Sequence, residues 1–170
     1  MGAGMETKKP VIDSEEYYGI KILKNGTWIY NGTPINRHNL VKLFASVLKK
    51  DGAGDYWLVT PYEKGRIEVE DVPFSAVELK ADGAGRAQAL TFRTNIDDWV
   101  TADDAHPIRV SFDEGSGAPS PYVMVRDGLE ARIARSVYYE LVKAAVEDEK
   151  EKGLYGVWSK GAFFTIGRIK

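Results

Sequence analysis

The stretch "WIYNGTPINRHNLVKLFASVLKK", residues 28–50, changes its period part-way, and that change decides the fold. It opens as a short strand, Trp28-Ile29-Tyr30, meets Asn31-Gly32, and continues as an amphipathic helix. Asn-Gly accepts the positive φ angles of a type I′ turn, so the pair reads as a hairpin corner. Asn25-Gly26 reads the same way at the other end of that strand. Asn36 is the expected N-cap, and Leu40, Val41, Phe44, Val47 and Leu48 share one helical face. Lys49 and Lys50 suit the negative helix end, Gly52 is the expected stop, and the helix is predicted over about residues 37–50.

A second stretch, "RDGLEARIARSVYYELVKAAVEDEKEKG", begins at Arg126. Leu129, Ile133, Val137, Tyr138, Leu141, Val142 and Val146 hold one face of a helix expected over about residues 128–151. Asp127 and Glu130 have capping-box spacing, so this Asp-Gly pair reads as the entry to the helix, and Gly153 ends it.

Laid side by side, the two stretches share a plan. Asn31-Gly32 matches Asp127-Gly128. With a two-residue gap, Leu40, Val41, Phe44, Val47 and Leu48 match Tyr138, Tyr139, Val142, Ala145 and Val146. "YWLV" matches "YGVW", and Lys64-Gly65 matches Lys160-Gly161 as a corner before a further strand. "RIEVE", "FSAVELK", "ALTFR" and "IRVSF" alternate apolar with polar residues, the pattern of antiparallel strands with one wet face. The fold expected is α+β, mostly antiparallel β with two main helices on a duplicated β-hairpin–helix–strand–strand plan. Residues 1–17 read as a flexible tail, 18–105 as an N-terminal half and 106–170 as a C-terminal half.

Composition narrows the function classes. A net charge of −2, from 23 basic and 25 acidic residues, argues against a general electrostatic grip on nucleic acid. The absence of cysteine excludes disulfides, thiolate metal sites and cysteine nucleophiles. No run is apolar enough for a signal peptide or a bilayer span, so a cytoplasmic protein with no membrane partner is expected.

No nucleotide-binding fingerprint is present: neither "DGAG" at 51–54 nor that at 82–85 continues into a phosphate loop. His38 and His106 lack ligand spacing, and Asp97-Asp98 and Asp103-Asp104 read as solvated turns, so no metal and no cofactor is expected. Glu68 and Glu70 share a strand face but read as cross-strand ion-pair partners, and no catalytic residue is assigned. The arginines carry the site expectation. Arg37 and Asn39 lie in the first turn of the first helix, where free N–H groups favour an anion. Arg126 takes the same topological place before the second, Arg66 follows the Lys64-Gly65 corner, and Arg93 leads into "TNIDD". These forks suit a phosphate or carboxylate ligand, and Trp57, Trp99 and Tyr62 are candidates to stack on a base, although aromatic residues in strands are usually core.

The segments "NGTWIYNGTPI", "YWLVTPYEKGRIEVEDVPF", "LTFRTNIDD" and "VRDGLEARIARSVYYELV" resemble the bacterial domain-of-unknown-function family numbered 1285, from about Tyr18 to Gly167. Asn25 and Ile29 depart from the Asp and aromatic residue expected there. The resemblance implies a duplicated core with a loosely pleckstrin-homology-like C-terminal half, a nucleotide-like ligand between the halves, and a signalling role. The expected function is therefore a non-enzymatic regulatory module for a small anionic ligand. A protein-interaction adaptor is the alternative, and a hydrolase acting on a phosphorylated metabolite the third reading.

Overall fold

The computed structural model describes residues 17–169, and the expected N-terminal tail lies almost wholly outside them. Tyr17, placed at the end of that tail, opens the first strand. The chain forms two compact units that divide between Pro73 and Phe74, each with its own sheet.

The first unit contains β1 (Tyr17–Ile22), β2 (Trp28–Tyr30), β3 (Thr33–Pro34), α1 (His38–Ser46), β4 (Leu48–Lys50), β5 (Tyr56–Val59) and β6 (Lys64–Val69). Its six-stranded sheet runs β3-β2-β1-β6-β5-β4, so α1 joins the two edge strands. The central β1–β6 pair is parallel, with Lys21 opposite Glu68, and every other pair is antiparallel. Asn31 and Gly32 have φ of 47° and 87°, the expected type I′ corner. At the other corner only Gly26 is left-handed, and Leu23 N–H donates to the Thr27 carbonyl at 2.8 Å. That loop is a hairpin corner, but not of type I′.

The second unit contains β7 (Phe74–Asp82), a 3₁₀ turn (Gly85–Ala87), β8 (Ala89–Thr94), β9 (Trp99–Thr101), β10 (Ile108–Phe112), β11 (Pro119–Arg126) and β12 (Leu129–Ile133). Then come α2 (Arg135–Lys143), β13 (Val146–Glu147), β14 (Leu154–Ser159) and β15 (Ala162–Arg168). The six-stranded order is β9-β8-β7-β12-β11-β10, again with one parallel pair, β7–β12, at the centre. β13-β14-β15 form a smaller antiparallel sheet. Ser159 ties it to the larger one: its fully buried hydroxyl donates to Ala102 O at 2.7 Å and accepts from Leu90 N–H at 2.9 Å. Each unit thus runs strand, Asx-Gly corner, strand, helix and antiparallel meander, a mostly β protein on a duplicated α+β plan.

Several boundaries differ from those expected, each for a physical reason. The division falls at 73/74, not 105/106, because β7 pairs with β12, Phe74 opposite Ala131, and carries β8 and β9 into the second sheet. α1 stops at Ser46 because Val47 N–H turns back to Phe44 O, after which Leu48, Lys49 and Lys50 pair with Leu58, Trp57 and Tyr56. Arg37, not Asn36, is the N-cap residue. The helix expected over 128–151 is a strand, a helix and a strand. Asp127 and Gly128 have φ of 48° and 80°, so they turn the β11–β12 hairpin and no capping box forms. "LEARI" buries Leu129, Ala131 and Ile133, a period-two pattern whose ends also fit a helical face. Lys64-Gly65 is not a corner, since both residues lie in β6 and the turn precedes them. Lys160-Gly161 is one, with φ of 53° and 81°.

The repeat itself needs no gap through the helices. The offset that carries Asn31 to Asp127 also carries Val41 to Val137 and Ala45 to Leu141, and all four helix residues are buried. The gapped match fails at the core: Val41 is buried whereas Tyr139 is exposed. Among the described residues no helix is long and apolar enough to cross a membrane.

Candidate functional site

The apolar stripe of α1 is wider than the core it packs against. Val41 and Ala45, one turn apart, enter the core. Leu40, Phe44 and Val47 form the adjacent row and stay half-buried, with Phe44 stacked 6.3 Å from the Trp28 ring. That row forms one wall of a cavity of about 510 Å³. Tyr18 and Ile20 of β1 and Leu58 of β5 line it from the sheet, and Tyr30, Ile35, Thr60 and Glu63 complete it. The volume is that of a small-molecule site.

Two local features shape its polar end. Tyr18 lies flat across β6 because position 65 is glycine: a Cβ there would stand 2.3 Å from the Tyr18 ring. A glycine inside a strand often marks such a close approach. The Thr60–Glu63 turn is closed three times over. Thr60 N–H donates to Glu63 O at 2.9 Å, the Thr60 hydroxyl donates to the same oxygen at 3.2 Å, and Glu63 N–H donates to Thr60 Oγ1 at 3.1 Å. The Glu63 carboxylate lies near enough to the Tyr18 phenol to act on its titration. Burial first, and then the Glu63 charge, push the Tyr18 pKa above the ordinary phenol value.

The opposite face of the same strands carries Arg66. Leu58 pairs with Gly65 on the cavity side, so alternation puts Trp57, Arg66 and Lys64 on the other. There the Arg66 guanidinium lies between the rings of Trp57 (4.8 Å) and Tyr17 (5.4 Å) and donates to the Tyr17 hydroxyl at 3.2 Å. Asp55 stands 3.9 Å away, beside a smaller cavity of about 300 Å³. Trp57 is itself fixed by its indole N–H, which donates to Asp51 at 2.8 Å and helps hold that carboxyl below the usual range.

Two further cavities belong to the second unit. One, about 380 Å³, lies along α2 and is lined by Tyr138, Val142 and Ala145 with Phe112, Tyr155 and residues of β15. The other, about 440 Å³, is polar, and its lining includes Arg126, Trp99, Asp98, Asp103 and His106. In it Asp103 Oδ1 takes the His106 ring Nδ1 at 2.8 Å and the N–H groups of Ala105 and His106. The pair first of all fixes a turn.

The five expected site residues do not converge in these cavities. Arg37 and Asn39 are exposed at the start of α1, whose N-cap makes no side-chain hydrogen bond, and neither lines the cavity beneath it. Arg66 occupies the far face of the sheet. Arg93 is held by Glu78 at 2.8 Å and Asp97 at 3.1 Å. Arg126 lies 6.0 Å over the Phe74 ring and lines the polar cavity. No two of the five line the same one of these cavities. Of the stacking candidates, Trp57 is buried beneath Lys64 and Arg66, Trp99 carries Lys80 over its ring at 4.6 Å, and Tyr62 is fully exposed. Among the described residues no group of His, Asp or Glu is arranged to hold a metal. Sequence reasoning missed Tyr18, Glu63 and Gly65. The available signal was Gly65 itself, interrupting an otherwise alternating strand.

Comparison with known proteins fits this architecture. The family description "Domain of unknown function (DUF1285), N-terminal domain" matches residues 9–72. "Protein of unknown function (DUF1285), C-terminal domain" matches residues 73–166, so the family boundary falls where the two units divide. The chain belongs to the DUF1285 family. A solved DUF1285 protein from Silicibacter pomeroyi DSS-3 is 40% identical, with a TM-score of 0.83 over 96% of this chain and 90% of that one. Another, from Shewanella baltica OS155, is 28% identical, with a TM-score of 0.58 over 75% of this chain and 93% of that one. No curated protein matches.

Proposed function

We propose that this DUF1285 chain is a non-enzymatic binding module of the regulatory kind, and that its ligand is a small, largely apolar molecule seated under α1. The observation that carries the reading is the Leu40, Phe44 and Val47 row, which the core does not use and which walls a cavity of about 510 Å³. Apolar walls with a few fixed polar groups are the usual build of a ligand site. The Thr60 hydroxyl is committed to its turn, and among the described residues Glu63 is the one charged residue in the lining.

The same lining alters the ligand class expected from the arginines. Among the described residues a phosphate brought into this cavity meets a carboxylate and no cation, which disfavours a nucleotide there. An anionic ligand instead draws its support from Arg126 beside Trp99, in a cavity whose other charged residues are acidic or histidine.

A thermal-melt panel on the full chain separates these readings. It includes nucleotides, cyclic dinucleotides and sugar phosphates beside neutral aromatic and aliphatic compounds. Ligand at a hundredfold excess over its dissociation constant stabilises by about 2.7 kcal/mol, enough for a visible shift. The expected result is saturable stabilisation by apolar compounds, lost in the cavity-filling Val47→Phe variant and retained in Arg66→Ala. Stabilisation by phosphorylated compounds alone, abolished by Arg126→Ala, would restore the anionic reading. A flat panel would favour the adaptor.

A further inference from the structure

We infer that the cavity under α1 selects ligands that carry a protonated amine on their apolar body. The inference rests on the reading of that cavity as the ligand site and adds the chemistry of its polar end.

Among the described residues lining the cavity, Glu63 is the only one that carries a charge, and no lysine, arginine or histidine is among them. Its backbone is held in place on both sides: N–H to Thr60 Oγ1 at 3.1 Å, and carbonyl from Thr60 N–H at 2.9 Å. The acid is therefore mounted on a closed turn and is not carried by a loose loop. Its charge helps to hold the Tyr18 phenol in its protonated form. A carboxylate offers about four lone-pair positions, so one phenol leaves it able to accept from an ammonium group. The Tyr18 phenol oxygen has acceptor capacity as well. The Thr60 hydroxyl donates to the Glu63 carbonyl at 3.2 Å, so it is not a competing donor toward the cavity.

The polar end thus presents acceptors with negative charge and lacks the donors that an anion needs. The rest of the lining, Ile20, Ile35, Leu40, Phe44, Val47 and Leu58, suits an aromatic or branched aliphatic body. Charge-assisted hydrogen bonds are about twice as strong as neutral ones, so the amine end supplies the discrimination and the apolar body the bulk of the contact.

Three compounds on one skeleton test the assignment: phenethylamine, phenethyl alcohol and hydrocinnamate, titrated calorimetrically into the full chain and into Glu63→Gln. The expected order in the native chain is amine tightest, by about tenfold over the alcohol, with the carboxylate weakest. In Glu63→Gln the amine and alcohol should converge while the alcohol is unchanged. Binding of the alcohol with no preference for the amine would overturn the amine assignment and leave the cavity reading intact. Absence of binding by all three would overturn both. Circular dichroism of the variant, identical to the native chain, separates a lost charge from a lost fold.

Discussion

Helices α1 and α2 meet the same packing requirement and leave different cavities beside it. Each buries two apolar residues one turn apart, Val41 and Ala45 in one case, Val137 and Leu141 in the other. In α1 the cavity row, Leu40, Phe44 and Val47, begins one residue before the core pair. In α2 the corresponding row, Tyr138, Val142 and Ala145, begins one residue after it. At about 100° per residue, the two cavities therefore lie on opposite flanks of their helices. The chemistry differs too: Glu63 and Tyr18 at one cavity, Arg168 paired with Glu151 at the other. The repeat carries over the core stripe because folding depends on it. The flank is free to diverge, so a site in one unit does not imply its twin in the other.

The largest effect that would break this comparison is on stability. Leu141, fully buried, should lose about 2–5 kcal/mol on substitution by alanine. Phe44 has the same place on a sequence-derived helical face, but it borders an open cavity and stacks on Trp28. Phe44→Ala should cost about 1 kcal/mol, since only part of its surface leaves water on folding. Urea denaturation with near-equal losses for the two would remove the distinction between core row and cavity row.

An intermediate effect is expected at Gly65, where the cavity depends on a missing Cβ. Gly65→Ala brings a methyl group to 2.3 Å from the Tyr18 ring, and the ring is what must move. The cost should be about 1–3 kcal/mol, typical of overpacking, together with loss of the ligand response even in chains that remain folded. Retention of ligand stabilisation at full strength would show that Tyr18 does not shape the site.

Which parts of this structure could be read from the sequence follows from which forces act locally. The Asn31-Gly32 corner, the strands at 56–59, 74–82, 89–94 and 108–112, and the duplicated order are set by turn chemistry and alternation, both short-range. The helix ends were not legible. "VLKK" and "LEARI" fit either period, and only pairing with β5, β11 and β7 makes them strands. Val77 shows the same limit: it alternates as a core residue, but the bulge between Ala76 and Glu78 leaves it exposed. The site was harder still. Charge alone singles out the arginines, yet Arg66, Arg93 and Arg126 each lie against rings or carboxylates brought up by other strands. Tyr18 and Glu63 are far apart in sequence, and what joins them is the parallel β1–β6 pair at the middle of the sheet.

The smallest effect is a titration, and it contrasts the two cavities directly. Both Tyr18 and Tyr138 line a cavity, and both phenols have a raised pKa. At Tyr138 burial alone is the cause, whereas at Tyr18 burial is joined by the charge and the hydrogen bond of Glu63. A raised phenol pKa means that the folded chain holds the proton more tightly than the unfolded one. Its stabilisation is complete below the ordinary value near 10 and is lost as pH rises through the folded value. Glu63→Gln should therefore bring the Tyr18 titration down toward the ordinary value and leave Tyr138 where it was, as followed by NMR of labelled tyrosine rings. A Tyr18 curve that does not move would mean that the phenol and the acid are not coupled. The cavity under α1 would then keep its apolar wall but lose the acceptor pair on which its proposed selectivity depends.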